Sequence, residues 1–302
     1  MFKPDWKMGL QKLTDGVYAW LTQGIIMKSN VGWIEGTDCA LVFDSLSTLP
    51  MMKNFLDSVH MHSDKKPSYL VLSHAHGDHC LSASCVNAPV IIGHKYIQEQ
   101  IAKNIAENRS VEKMNAWYPD MDYTGTHFVY PNLYMGDCLK IDLGGRTAEL
   151  YYAGHCHTKE DIYLYLRDEG IVFCADLLFN HVVPSFHQGN IYGMIDGLTR
   201  LLSLDAERYV PGHGPIARKD DVRMVRDHYA RMLELAQEGV RIGRSSEDSV
   251  YILEKDMGVM RTKWAEPERV FVSMDCIYAQ VQGVPFHFKY DPAKLKRFSG
   301  SD

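Results

Sequence analysis

Apolar positions fall into short runs along the first two thirds of the chain and into helical stripes along the last third. "GVYAWLT" and the nearly all-apolar "CALVFDS" (Cys39 to Ser45) predict strands, the second buried on both faces. Leu49 to Val59 predicts a helix, and "SYLVLS" (Ser68 to Ser73) a further strand. "APVIIGH" predicts another strand and Lys95 to Glu107 another helix. "LKIDLGGRTAELYYAGH" and "DIYLYLRDEGIVFCAD" each predict a hairpin around a glycine-containing turn. After "YVPGHGPIA" the texture changes. Val222, Val225, Tyr229, Met232, Leu233, Ala236 and Val240 keep helical spacing between Asp220-Asp221 and a loop at Gly239. A second helix begins near Pro267 and carries Phe271, Met274, Tyr278 and Val281 as far as Gly283. The pattern predicts an α/β core over residues 1–218 and a mostly helical extension over 219–302. That extension serves either as a cap over a pocket or as a homodimer interface.

Composition narrows the function classes. The chain has 302 residues and a formal net charge of −6, enough for one large domain or a domain with an extension. An acidic balance argues against a nucleic-acid partner, which calls for basic patches. No segment approaches the roughly 20 apolar residues of a membrane span, so no membrane partner is expected. The charged start "MFKPDWKMGLQKLTDG" is unlike a signal peptide, and seven scattered cysteines read as reduced thiols. The expectation is a cytoplasmic protein acting on a small molecule.

Chemistry concentrates in "VLSHAHGDHC" (Val71 to Cys80), three histidines and an aspartate within six positions after a buried strand. His74 and His76, two apart in extended backbone, point the same way and can hold one metal ion. Asp78 and His79 follow where the chain turns into a helix, toward a second position. Further donors stand in "AGHCHTKEDIYLYL", which offers His155 or His157, in "IVFCADLLF", which puts Asp176 just past an apolar strand, and in "YVPGHGPI", which puts His213 in a Gly-Pro loop. All lie at or beyond predicted strand ends, where α/β sheets collect their sites.

The set His74-Ala75-His76-Gly77-Asp78-His79, His157-Thr158 with Asp161, Asp176, and Pro211-Gly212-His213-Gly214 resembles the metallo-β-lactamase superfamily. "SNVGWIEG" and "LVFDS" also look like that family's N-terminal strands, and the resemblance spans about residues 10–218. It implies an αββα four-layer sandwich with a dinuclear site at one edge of the two sheets and, here, a C-terminal helical extension. By that resemblance His74, His76 and His157 bind one metal, Asp78, His79 and His213 the other, and Asp176 bridges. Asp44 takes the place of a carboxylate behind the ligands. Thr158 and Asp161 fix the loop of His157, which leaves His155 behind it or lining the pocket. Ala175 stands where the family commonly has glycine, and His76 where flavodiiron relatives carry glutamate.

Imidazole and carboxylate donors suit two Zn2+ ions, with Mn2+, Fe2+ or Co2+ as other fits. Two such ions about 3.5–4 Å apart share a hydroxide of lowered pKa, which Asp78 would aim and Asp176 would space. The expected activity is hydrolysis of a small ester, lactone, lactam or thioester. The alternatives are an iron-dependent persulfide dioxygenase and a non-catalytic ligand-binding member of the fold. Candidate substrate contacts are His181 and His187 after Asp176, and Trp117 and Tyr118 in "NAWYPDMDYTG".

Overall fold

A computed structural model describes residues 5–23, 26–106, 111–257 and 264–287. The expected helix end at Glu107 and residues 258–263 and 288–302 of the extension lie outside the described residues.

Two sheets form the centre. The first has seven strands in sequential order: β1 (Gly9–Thr14), β2 (Val17–Leu21), β3 (Val31–Glu35), β4 (Ala40–Phe43), β5 (Pro67–Val71), β6 (Val90–His94) and β7 (Leu133–Met135). The pairings from β1 to β4 are antiparallel and those from β4 to β7 parallel. Each parallel step needs a crossover. α1 (Leu49–His60) supplies the first, α2 (Gly77–Cys80) and α3 (Ala83–Val86) the second, and α4 (Ile97–Ala106) and α5 (Val111–Trp117) the third. The second sheet has five strands, β8 (Cys138–Asp142), β9 (Thr147–Gly154), β10 (Asp161–Leu166), β11 (Ile171–Phe179) and β12 (Arg208–His213), in the order β12-β11-β10-β9-β8. β8 to β11 form the two expected hairpins, and β11 runs parallel to β12 through α6 (Ile191–Ser203). α7 (Lys219–Ile242), α8 (Ser246–Met257) and α9 (Arg269–Gln282) follow.

Two-residue alternation sorts side chains between layers. On β4, Leu41 and Phe43 enter the core between the sheets, while Ala40 and Val42 meet Met52, Phe55 and Val59 of α1. On β11, Phe173 and Ala175 face the other sheet, while Val172 and Cys174 join Met194 and Leu198 of α6, Val225 and Tyr229 of α7, Val250 of α8 and Met274 of α9. The result is an αββα four-layer sandwich in which the C-terminal helices share one apolar core with the outer face of the second sheet.

Three boundaries differ from the sequence reading. α7 does not stop at Gly239 but continues to Ile242 and ends on Gly243, whose φ of 75° is the left-handed C-cap. Gly239 instead makes room for α9, since a Cβ there would lie 1.7 Å from the Tyr278 hydroxyl. Pro267 precedes α9, which begins at Arg269 behind Glu268. β11 runs through Asp176 to Phe179, because the apolar run continues beyond the aspartate.

Candidate metal centre

β5 ends at Val71, and the next residues carry the chain across the sheet edge into α2. His76 is extended (φ −68°, ψ 146°) and leads into α2, which presents Asp78 and His79. β9 and β10 meet at the loop bearing His157, β11 carries Asp176, and β12 ends on His213. Four separate segments thereby converge on one edge of the sandwich.

Donor atoms of His74, His76, His157 and Asp176 lie within 4.8 Å of one another, as do those of Asp78, His79 and His213. Asp176 touches both groups. Its Oδ2 is 3.1 Å from His157 Nε2 and 3.7 Å from His74 Nε2. Its Oδ1 is 3.2 Å from His79 Nε2 and 3.4 Å from His213 Nε2. His213 Nε2 also lies 3.3 Å from Asp78 Oδ2.

Neighbours behind these side chains fix their orientation. Asp44, in a left-handed backbone with φ 67°, accepts from Ser73 N (2.7 Å) and Ser73 Oγ (2.8 Å) and pairs with His79 Nδ1 at 2.8 Å. Ser73 Oγ also lies 2.9 Å from His74 Nδ1. Asp161 accepts from the backbone amides of His157 (2.6 Å) and Thr158 (2.9 Å) and from Thr158 Oγ1 (2.5 Å). That loop carries His157 into the donor group, while exposed His155 turns away and donates from Nε2 to Gln188 O at 3.0 Å. We expect His157→Ala to lose one ion of the first group and His155→Ala to keep both, as measured by bound metal. Metal loss confined to His155→Ala would shift the loop assignment by two residues.

Charge separates the histidines. Burial, then the charge of His79 and the neighbouring His76, holds His74 well below the ordinary imidazole range, and burial takes His76 down to about 4. Burial also opposes the charged forms of His79 and His213, but Asp176 outweighs it. With Asp44 and Asp78 it lifts His79 well above the ordinary range, and with Asp78 it lifts His213 to about 9. In the metal-free site these carboxylates favour the protonated forms of His79 and His213, so metal uptake would displace protons. Uptake is expected to release protons near pH 7, with apparent affinity climbing as pH rises toward about 9. Titration in indicator dye would test this; affinity independent of pH between 6 and 9 would contradict it.

His74 Nε2, His79 Nε2, His157 Nδ1, His213 Nδ1 and Asp176 Oδ1 are buried without a hydrogen-bond partner. Buried polar atoms are normally paired, and His74 Nε2, His79 Nε2 and Asp176 Oδ1 point into the cluster. The residues present therefore fit a pair of cations.

The other sequence candidates fall in different places. His187 stacks parallel on His76, 5.7 Å between ring centroids, at the half-buried rim of the cluster. His181 pairs with Asp5 at 2.9 Å and lies between Trp6 and Trp264, on the side of the N-terminal segment. Trp117 is 58% exposed at the end of α5. Tyr118 packs with Leu81, Met114 and Tyr123 in a small apolar cluster beside α2.

Several residues at the site carried no sequence signal. Gln188 Oε1 lies 3.0 Å from His76 Nε2. Glu160, pushed up to about 8 by burial and by Asp161, accepts from Ala75 N, and Asn104 Nδ2 donates to Ala75 O at 2.8 Å. Both clasp the peptide between His74 and His76. Glu266, with φ 57°, pairs through Oε2 with Arg269 and lies near His213. None belongs to a local pattern, so only long-range contacts reveal them.

A family model described as the metallo-beta-lactamase superfamily matches residues 26–85 and 91–213. The alpha subunit of 2,4-dinitroanisole O-demethylase from Nocardioides sp. (strain JS1661) is 24% identical over 208 residues, 67% of this chain and 54% of that one. A hydroxyacylglutathione hydrolase from Francisella philomiragia is 23% identical over 170 residues, 54% of this chain and 56% of its own length. The chain spans about half the length of the curated relatives it matches. Among solved structures, the stereoselective inverting sec-alkylsulfatase Pisa1 from Pseudomonas sp. has a TM-score of 0.73 at 18% identity, covering 95% of this chain and 52% of that one. A metallo-beta-lactamase from Pontibacter korlensis has a TM-score of 0.58 at 16% identity, covering 73% and 99%.

Proposed function

The chain belongs to the metallo-beta-lactamase superfamily, and from that premise we propose that it is a dinuclear, zinc-dependent hydrolase of a small ester, lactone, lactam or thioester. One observation carries the reading: two adjoining donor groups share Asp176 while buried donor atoms in both lack partners. In this proposal His74, His76 and His157 hold one ion, Asp78, His79 and His213 the other, and Asp176 spans the two. Five imidazoles and two carboxylates without thiolate favour zinc, with Mn2+, Fe2+ and Co2+ as fits of the same donor set. Bound there, the ions supply Lewis acidity and water of lowered pKa.

The chain's own residues supply position and dryness. Asp78 Oδ2 lies 3.3 Å from His213 Nε2, which keeps its carboxylate at the second group. Phe179 stacks on His213, 5.0 Å between centroids, and closes that side to water. Ligand side chains are almost fully buried except His76, so substrate approaches from the His76 and His187 rim. The imidazole face of His187 beside His76 suits a neutral or apolar acyl compound. Seven free thiols support a reducing, cytoplasmic setting as part of the same reading.

Elemental analysis of purified protein is expected to give about two ions per chain. A panel of carboxylate ester, lactone, β-lactam, thioester, alkyl sulfate and 2,4-dinitroanisole should show turnover among the acyl compounds, abolished by chelation and restored by zinc. A single iron with oxygen consumption on persulfide would replace this reading with the dioxygenase. Two bound ions with no turnover anywhere would make the chain a binding member of the fold.

A further inference from the structure

We infer that Gln188 and Gln280 form a relay through which helix α9 aims the His76 imidazole into the first donor group. The inference rests on the metal-dependent reading above and adds to it a role for the C-terminal helix.

His76 is a histidine of the donor groups whose aim depends on a residue far away in sequence. His74 is tied by Ser73 and His79 by Asp44, and the His157 loop is tied by Asp161. Each of those partners lies on a neighbouring strand or within the same loop. His76 is half-buried and lies in the short crossing between β5 and α2. Its Nδ1 is 3.1 Å from His157 Nε2, inside the donor group, and its Nε2 is 3.0 Å from Gln188 Oε1. An amide oxygen accepts, so Nε2 carries the hydrogen and Nδ1 keeps its lone pair for a cation. Gln188 thereby selects both the tautomer and the ring direction.

Gln188 itself sits between β11 and α6 in a stretch without regular structure. Its place comes from His155, whose Nε2 donates to Gln188 O at 3.0 Å, and from α9. Gln280 Nε2 donates to Gly189 O at 2.8 Å, and Gln280 Oε1 accepts from Ile191 N at 2.9 Å. One side-chain amide thus brackets the backbone on the C-terminal side of Gln188, much as a strand neighbour would. Asn190 N donates to Cys156 O at 2.8 Å, and a Cβ at Gly189 would lie 2.3 Å from the Phe186 ring, so the bracketed turn has no slack. The C-terminal part also ties the beginning of this stretch. Ala265 exchanges backbone bonds with His181 (2.9 Å) and Val183 (2.8 Å), and Ser273 Oγ donates to Pro184 O at 3.2 Å. The segment from His181 to Ile191 is splinted from the C-terminal side along its length.

The test reads metal binding directly. Metal-free protein is titrated with Co2+ against a competing chelator, and the two binding steps and the cobalt absorption bands are followed. Gln188→Ala is expected to weaken one of the two ions by about 10–100-fold, the usual effect of removing a partner behind a ligand, and to leave the other within about twofold. Gln280→Ala should weaken the same ion to a smaller extent. The double variant should be no weaker than Gln188→Ala alone, because both act through one path. Gln188→Glu keeps the acceptor and should restore binding. Unchanged affinity in Gln188→Ala, or losses that multiply in the double variant, would overturn the relay. If Gln280→Ala fails to fold, Gln188→Ala and Gln188→Glu decide the matter. Wild-type protein that binds no Co2+ would sink the metal reading instead.

Discussion

Asp176→Ala is expected to lower hydrolytic kcat/KM by about three orders of magnitude or more, the upper scale for losing a group that fixes charge at a reacting centre. The expectation follows from its two oxygens. Oδ2 lies against His157 and His74, while Oδ1 lies against His79 and His213. Removing the carboxylate takes away what joins the two donor groups. It also removes the first-named source of the raised imidazole pKa values at His79 and His213. Those imidazoles should then lose their protons at lower pH, so fewer protons leave on metal uptake. Asp176→Asn separates the effects by keeping the shape and discarding the charge. Metal content and kcat/KM measured on both variants check the argument, and near-normal turnover with two ions bound would refute the bridging role.

Gly212→Ala is expected to cost about a hundredfold or more in kcat/KM, although it removes no chemical group, because misplacing a reacting group by about 1 Å has that effect. A Cβ at Gly212 would lie 2.0 Å from Asp176 Oδ1 and 2.8 Å from the Ala175 carbonyl carbon. The methyl group and the carboxylate cannot share that space. Backbone cannot yield readily, because β11 and β12 are paired beside it and Ala175 already has φ 47°. Gly136→Ala is the comparison, since a Cβ there meets nothing within 4 Å. Kinetics and melting temperature of the two variants check the contrast. Equal activity in both would mean that Asp176 tolerates the intrusion.

The first four donors were legible because their spacing is local, whereas His157, Asp176 and His213 joined them through the resemblance to the superfamily. Three histidines and an aspartate in one strand-to-helix crossing leave few other uses for those side chains. Asp176 was found for its chemistry but set past its strand, since an apolar run with one charge does not show whether pairing continues beyond it. Gly239 shows the same limit from another side. Glycine marks a helix end or a close approach equally well, and only Tyr278 on α9 distinguishes them. β1, β7 and α8 have too few apolar positions to announce themselves. Gln188, Glu160 and Asn104 are polar residues in unremarkable surroundings, and each acts on a residue far away in sequence.

The Asn30 side-chain amide donates to Pro211 O at 2.9 Å and to Gly214 O at 2.8 Å, a stitch between the first sheet and the end of the last strand. Contacts separated by 181 and 184 positions carry the loop-closure cost of nearly the whole core. Both donor groups likewise join segments distant in sequence, so the complete site belongs to the folded chain. A cation bound there would hold the folded chain by mass action, about 1.4 kcal/mol for each tenfold excess over its dissociation constant. Metal supply would therefore govern less whether the chain folds than how long it stays folded. Starvation for the ion would show first as shorter protein lifetime.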